Sequence, residues 1–380
     1  MNILLIIPEV QGTIAKVSYN LYEGLTKLPH NIIVADLSGR VDEVLPFKNL
    51  KRLDFNDYFL GKYFKYWTKT RFLKEIKKEY EIGLSISTLV GCNICNAFSK
   101  GEEQTVAIFH TRLKQLKRYG IVSYYVYYFL LKFSIRKIDR IVAVNKSAQQ
   151  DMKKFSRRND VELIYNIHHF DLIHQQSLEP IESKSELEVL SKPTFLFVGH
   201  LFNVKAPDRL INAFASVIKK NPNVNLVFIG ENSEGFKEKI LDGLIKKYGL
   251  KQNVFFWGHK SNPYKYMKAC HALVSPSKDE GLPGVIIESL SLGKPVISTN
   301  SSMGVWEIMG CDESYNPDLA NVFHTDYGLI TPNTCNENCN ISMLADAMLL
   351  SLRTDIYKKR FLGEKFNENN VISQYFKKGS

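Results

Sequence analysis

Residues 278–299, KDEGLPGVIIESLSLGKPVIST, hold two glutamates, Glu280 and Glu288, eight positions apart. Glu280 stands among glycine and proline, after the apolar run HALVSPS (271–277), and reads as part of a loop that leaves a strand. Glu288 lies inside VIIESLSLG (285–293), whose length and small apolar residues read as a short helix ending at Gly293. KPVIST (294–299) then reads as the next strand. Strand, loop, helix and strand in so short a span make one step of a parallel sheet with its helix on the outside.

The same rhythm extends in both directions. TFLFVG (194–199), NLVFIG (225–230) and NVFFWG (253–258) precede it, each a continuous apolar run closed by glycine. In the first half NILLII (2–7), NIIVADL (31–37), IGLSIS (82–87), TVAIFH (105–110), RIVAV (140–144) and VELIYN (161–166) alternate with helical stretches. Continuous rather than alternating apolar runs are what strands covered on both faces require, so both halves are expected to be doubly wound α/β domains. At 380 residues the chain suits two such units of about 150–200 residues each. HQQSLEPIESKSELEVLSKP (174–193), polar and without apolar periodicity, is expected to be the linker between them with some local structure of its own.

Composition narrows the class. Hydrophobic residues make up 44% and charged residues 23%, which excludes a disordered chain. MNILLIIPEV lacks a basic region ahead of its apolar run, and IVSYYVYYFLL (121–131) is well short of the roughly 20 residues that cross a bilayer. A cytoplasmic protein, peripheral at most, is the expectation. Cys92/Cys95 and Cys335/Cys339 could in principle form a split zinc site, but the plain reading is separate reduced thiols. Neither an Asp-x-Asp pair nor an HExxH cluster is present, so no metal is expected. The first strand runs into PEVQGT instead of Gly-x-Gly-x-x-Gly, which sets a dinucleotide-binding dehydrogenase aside.

The carboxyl edge of the second sheet gathers the candidate chemistry. Gly199, Gly230 and Gly258 close three strands there, where ligands of open parallel sheets bind and where glycine lets them approach the backbone. In FVGHLFNVKAPDRLINAFA (197–215), His200 and Lys205 lie in the loop before a helix whose dipole favours an anion, as an ammonium does. The backbone donors on either side of Pro283, those of Leu282, Gly284 and Val285 at the start of the Glu288 helix, are expected to form a second anion site, and Glu288 is close enough to that helix start to accept from vicinal hydroxyls.

The Glu-Gly-φ-Pro turn at 280–283, the glutamate at 288 and the following Gly-x-Pro-Val resemble the donor-site signature of retaining GT-B glycosyltransferases of family 4, the group 1 glycosyltransferases. GHLFNVK (199–205) is similar to that family's phosphate loop, with His200 where arginine is more usual. NPYKYMKACHALVSPS (262–277), YGLITP (327–332) and IDRIVAVNKSAQQDMKKF followed by VELIYNIHHF (138–170) resemble further segments in the same order. The resemblance implies two Rossmann-like domains facing across a cleft: residues 1–175 for the acceptor, 190–365 for a nucleotide-sugar donor, and a last helix (366–380) crossing back to the first. It implies that Glu288 binds the donor ribose, that Glu280 contacts the transferred sugar, that Gly281 belongs to the same donor-binding turn, that Lys205 and His200 hold the diphosphate, and that Gly258 and His259 lie against the base. His110 matches a histidine that faces the donor sugar. The acceptor loop PEVQGTIAK, with Gly12 and Thr13, matches poorly because it has no glycine pair. Transfer with retention, without a metal, and from a UDP-sugar in preference to GDP-mannose is what the resemblance implies.

The charge is uneven: residues 1–180 carry 27 Lys+Arg against 18 Asp+Glu, and residues 181–380 carry 23 against 21. RLKQLKRYGIVSYYVYYFLLKFSIRKIDR (112–140) and KYFKYWTKTRFLKEIKK (62–78) interleave cations with aromatic rings. That pattern suits an anionic membrane surface, consistent with a glycan or polyprenyl-linked acceptor. Nucleic acid is the competing partner, but no recognisable binding module is present. A GT-B protein that is not a transferase, either a nucleotide-sugar epimerase or a binding-only member, is the alternative function.

Overall fold

The computed structural model describes residues 1–8, 12–38, 45–54, 65–110, 113, 120–232, 235–333 and 336–376. The chain divides into two compact units, residues 1–168 with 364–380 and residues 169–363.

The first unit runs β1 (Asn2–Ile7), α1 (Gly12–Thr26), β2 (Asn31–Asp36), β3 (Leu50–Arg52), α2 (Lys65–Glu79), β4 (Leu84–Thr88), α3 (Val90–Phe98), β5 (Gln104–Phe109), α4 (Ile121–Ser134), β6 (Arg140–Ala143), α5 (Lys146–Ser156) and β7 (Glu162–Leu163). Its sheet has the order β3-β2-β1-β4-β5-β6-β7, and every pairing is parallel. Ile3 through Ile7 are wholly buried, which is why β1 reads as an unbroken apolar run: helices cover both its faces. Helix ends follow local chemistry. Asn145 caps α5 by accepting from the Ala148 N–H, and Arg157 closes it in the left-handed conformation.

The second unit runs α6 (Phe170–Ser177), α7 (Lys184–Leu190), β8 (Thr194–Val198), α8 (Pro207–Lys220), β9 (Asn225–Ile229), α9 (Asp242–Tyr248), β10 (Val254–Phe256), α10 (Tyr264–Ala269), β11 (Ala272–Ser275), α11 (Gly284–Ser291), β12 (Val296–Thr299), α12 (Met303–Ile308), β13 (Phe323–Thr325), β14 (Gly328–Thr331) and α13 (Glu337–Ser351). The order β10-β9-β8-β11-β12-β14-β13 is parallel except for the edge pair β13–β14. The last helix, α14 (Glu368–Phe376), belongs to the first unit, where Val371, Ile372 and Tyr375 enter the core and the buried Arg140 guanidinium donates to the Gln374 and Tyr375 carbonyls.

Two expectations need correction. The boundary lies at 168/169, and the segment expected as a linker (174–193) is mostly helix within the second unit. Ser183 caps α7 by accepting from the Glu186 N–H, and Glu186 is held by Lys260 at 2.8 Å and Tyr266 at 2.7 Å. Asn262 donates to the Gln176 carbonyl and to Glu179. These anchors are long-range polar contacts, which local periodicity cannot reveal. The short edge strands β3 and β13 were likewise absent from the apolar-run reading, because edge strands need no continuous apolar stretch.

Candidate functional site

In the second sheet the chain leaves β8 toward β9 on one side, and leaves β11 toward β12 on the other. The loops after β8 and β11 therefore flank the switch point, the crevice where open parallel sheets bind ligands. The two loops are tied together there. The Lys278 N–H donates to the Val204 carbonyl at 2.8 Å, the Lys278 ammonium reaches Asn203 Oδ1 at 2.6 Å, and Lys205 Nζ meets Glu280 Oε1 at 2.6 Å. Lys205 and Glu280, 75 positions apart in sequence, thus form one charged pair, 29% and 11% exposed at their side chains.

Backbone geometry explains the turn. A 3-10 turn at Asn203–Lys205 ends on Ala206, which is buried at φ +49 and is followed by Pro207 at the first position of α8. Arg209, one turn into α8 and 2% exposed, donates to Glu337 at 2.7 Å, to Asn333 at 2.6 Å and to the Pro276 carbonyl, fixing α8 against the loop after β11. Asn333 in turn donates to the Lys278 carbonyl. Arg209 and Asn333 were not singled out from the sequence. An arginine early in a helix gives no local sign that it will be buried.

On the other side of Glu280, α11 begins at Gly284 after Pro283, with no side-chain cap and no acidic residue in its first turn. Its first backbone donors are thereby available to an anion. Glu288 is the fifth residue of this helix, and the largely buried Tyr264 hydroxyl donates to its carboxylate at 3.3 Å. Tyr264 is a second positioning group that the sequence reading missed. Ser302 donates to the Gly281 carbonyl at 3.2 Å, and a Cβ on Gly304 would come within 2.1 Å of that same oxygen. The Glu280–Leu282 turn is therefore packed from behind by the start of α12.

The three strand-end glycines differ in what they do. A Cβ on Gly230 would stand 1.9 Å from the Gly199 carbonyl oxygen, so that position is closed to any other residue by backbone contact alone. Gly258, at φ +66, accepts at its carbonyl from the Gly230 N–H. Beside them a cavity of about 410 Å³ is lined by Leu201, Phe228, Gly230, Asn232, Phe256 and His259, among others, with the Phe228 and Phe256 rings stacked at 4.9 Å. His200 stands apart from Lys205's pairing: its Nδ1 is 3.6 Å from Glu231, and both side chains are largely exposed.

His110, at the end of β5 in the first unit, is 7% exposed, and burial pushes its pKa down to about 4. Its Nε2 has no hydrogen bond among the described residues. The same holds for Ser18 Oγ, and both residues line a cavity of about 10 Å³ with Tyr165 and Tyr375, room for about one water. His110 is therefore a neutral imidazole at physiological pH. Gly12 and Thr13 open α1, while residues 9–11 of the acceptor loop, Cys335 and most of 111–119 lie outside the described residues. No disulfide joins Cys92, Cys95, Cys270, Cys311 or Cys339.

The family model described as Glycosyl transferases group 1 matches residues 179–314, the span that holds Lys205, Glu280 and Glu288. Over this span the chain is similar to the group 1 glycosyltransferases. A glycosyltransferase of Methanocaldococcus jannaschii is 31% identical over 217 residues, 54% of this chain and 53% of that protein. The N-acetylgalactosamine-N,N'-diacetylbacillosaminyl-diphospho-undecaprenol 4-alpha-N-acetylgalactosaminyltransferase of Campylobacter jejuni is 33% identical over 187 residues, 49% of this chain and 48% of that protein. The chain thus spans about half the length of each of these two relatives. The crystal structure of Anabaena HepE in complex with UDP and glucose superposes with a TM-score of 0.72 over 98% of this chain and 97% of HepE, at 16% identity. That likeness is one of fold: this chain has the GT-B architecture of two parallel-sheet α/β domains.

Proposed function

We propose that this protein is a group 1 glycosyltransferase that moves a sugar from a nucleoside-diphosphate sugar to a glycan or polyprenyl-linked acceptor, in the synthesis of a cell-surface polysaccharide or glycolipid, with retention at the anomeric carbon. The observation that carries the reading is the Lys205–Glu280 pair at the switch point, with the uncapped start of α11 next in the chain and Glu288 one turn further on. These groups supply what a diphosphate sugar needs: a cation and backbone donors for the phosphates, one carboxylate for sugar hydroxyls and another for the ribose. The cavity beside Gly230 and Gly258 is assigned to the base. UDP is favoured, with HepE's complex of UDP and glucose as support; the Campylobacter relative's undecaprenol-linked acceptor supports a lipid-linked one here.

In the proposed reaction the bond from the anomeric carbon to the departing diphosphate oxygen breaks while the acceptor oxygen bonds to that carbon from the same face. The acceptor's proton passes to the departing phosphate. Lys205, His200 and the α11 donors meet the charge that develops on the leaving group, so no metal is called for. His110, which burial keeps neutral, has a hydrogen bond and not a charge to offer. The surplus of basic residues in the first half supports work at an anionic membrane surface.

The test is thermal unfolding of wild type and Glu288→Ala against UDP, GDP, ADP and CMP. A ligand at about a hundred times its Kd stabilises by about 2.7 kcal/mol. Selective stabilisation by one diphosphate, lost in the variant, is expected. No response to any of them would overturn the donor assignment, and turnover abolished by EDTA and restored by a divalent cation would overturn the metal-free chemistry.

A further inference from the structure

The run IVSYYVYYFLL folds into α4, and its inner side belongs to the core of the first unit: Leu131 packs with Ile94 and Ala97 of α3 and with Phe155 of α5. The outer side is apolar as well. Ile121, Tyr125, Phe129 and Phe133 recur every four residues with Val126 beside them, and all five are 49–65% exposed. A helix that is apolar all round is ordinarily covered all round, whereas among the described residues α4 is covered on one side only. Trp67 is also exposed, and its neighbour Tyr66 meets the Tyr127 ring of α4. The exposed face runs into cations. Arg136 and Lys137 are exposed, with the Lys137 ammonium 5.6 Å from the Phe98 ring centroid, and residues 120–138 contain no acidic residue. The next acid, Asp139, is paired with Lys100.

We propose that this face of α4 inserts into the interfacial layer of an anionic bilayer, with its rings among the acyl-chain boundary and Arg136 and Lys137 at the head groups. The inference rests on the transferase reading only in that it gives a lipid-linked acceptor its surface; the docked helix lies in the unit assigned to the acceptor. Fourteen residues of helix span about 21 Å, short of a bilayer's apolar core of about 30 Å, so α4 lies in the membrane plane. The chemistry disfavours a second copy as the cover. A two-fold contact with the helices parallel would bring two sets of Arg136 and Lys137 together, and an antiparallel one would set each against the positive N-terminal end of the partner helix, with no carboxylate in residues 120–138 to meet them either way.

Sedimentation with vesicles of phosphatidylglycerol and phosphatidylcholine, at low salt and at salt high enough to screen surface charge, tests it. Wild type is expected to bind and to keep part of its binding at high salt, and Phe129→Ser/Phe133→Ser to partition about tenfold more weakly in both conditions. Both rings are exposed, so the variant is expected to fold, and an unchanged thermal shift with UDP confirms it. Wild-type binding that vanishes at high salt, or a variant that binds as wild type does, would overturn insertion. So would a wild-type dimer in light scattering that the variant dissolves. Vesicle binding by a protein with no nucleotide response would sink the donor assignment and leave this inference standing.

Discussion

Replacing Lys205 by methionine and Glu280 by glutamine, singly and together, separates the two jobs of this pair. The carboxylate holds the ammonium at 2.6 Å and is itself only 11% exposed. In Lys205→Met, Glu280 loses its counter-charge. A fully buried pair broken this way costs about 3–5 kcal/mol, and the 29% exposure of Lys205 brings the expected loss nearer 1–2 kcal/mol. On the proposed function the same change removes a charge-assisted contact to the diphosphate, worth about 1.5–3 kcal/mol, so UDP should bind about tenfold to a hundredfold more weakly. Glu280→Gln acts in the opposite sense on UDP: the ammonium is released from its partner and a negative charge leaves the phosphate site, so UDP binding should hold or tighten by a few fold. The UDP-sugar should lose affinity relative to UDP, because its hydroxyls lose a carboxylate acceptor. The double variant should regain most of the lost stability without regaining nucleotide affinity. Calorimetric titration with UDP, with thermal unfolding alongside, reads both quantities. A Glu280→Gln protein that loses UDP as severely as Lys205→Met would refute the division of labour, since a carboxylate that only repels the phosphates cannot be needed to hold them.

Three further outcomes follow from the same geometry. Tyr264→Phe, which removes the hydroxyl that orients Glu288, should weaken UDP by about fivefold to tenfold with little change in unfolding temperature, and Glu288→Ala should weaken it further; the two changes combined should be less than additive. Gly304→Ala puts a methyl into the Gly281 carbonyl, 2.1 Å away, and should shift the Glu280–Leu282 turn, lowering turnover at least about tenfold with the fold kept by circular dichroism. His110 binds a proton in the unfolded chain near pH 6.5 but in the folded one only near about pH 4. Between those values the unfolded state holds more protons, so stability falls as pH drops through that window, by about 3 kcal/mol in all. His110→Gln should flatten that part of the stability profile measured by urea unfolding.

Much of the architecture was legible in the residues because it is local. Continuous apolar runs closed by glycine give buried parallel strands, and the loop-to-helix step at 280–288 put Glu280 in a turn and Glu288 in the second turn of α11, as expected. Gly230 was read as room for a ligand, whereas what approaches it is the Gly199 carbonyl of the neighbouring strand end. The contacts that finish the site were not legible. That Lys205 pairs with Glu280, that Tyr264 orients Glu288, that Arg209 binds Glu337 and Asn333, and that Gly304 backs the Gly281 turn depend on packing around β11, which lies between β8 and β12 and brings together segments 23 to 128 residues apart in sequence. The helices at 170–190 were missed because their anchors are single polar contacts to the α10 region, and α7 buries none of its own residues. The sequence alone determined which segments become strands and helices, because that depends on the spacing of apolar residues and on a few turn residues within one or two turns. Which charges meet, which imidazole loses its water and which face of α4 stays uncovered were decided only by the tertiary packing, since burial and pairing belong to the neighbours a residue acquires when the sheets form.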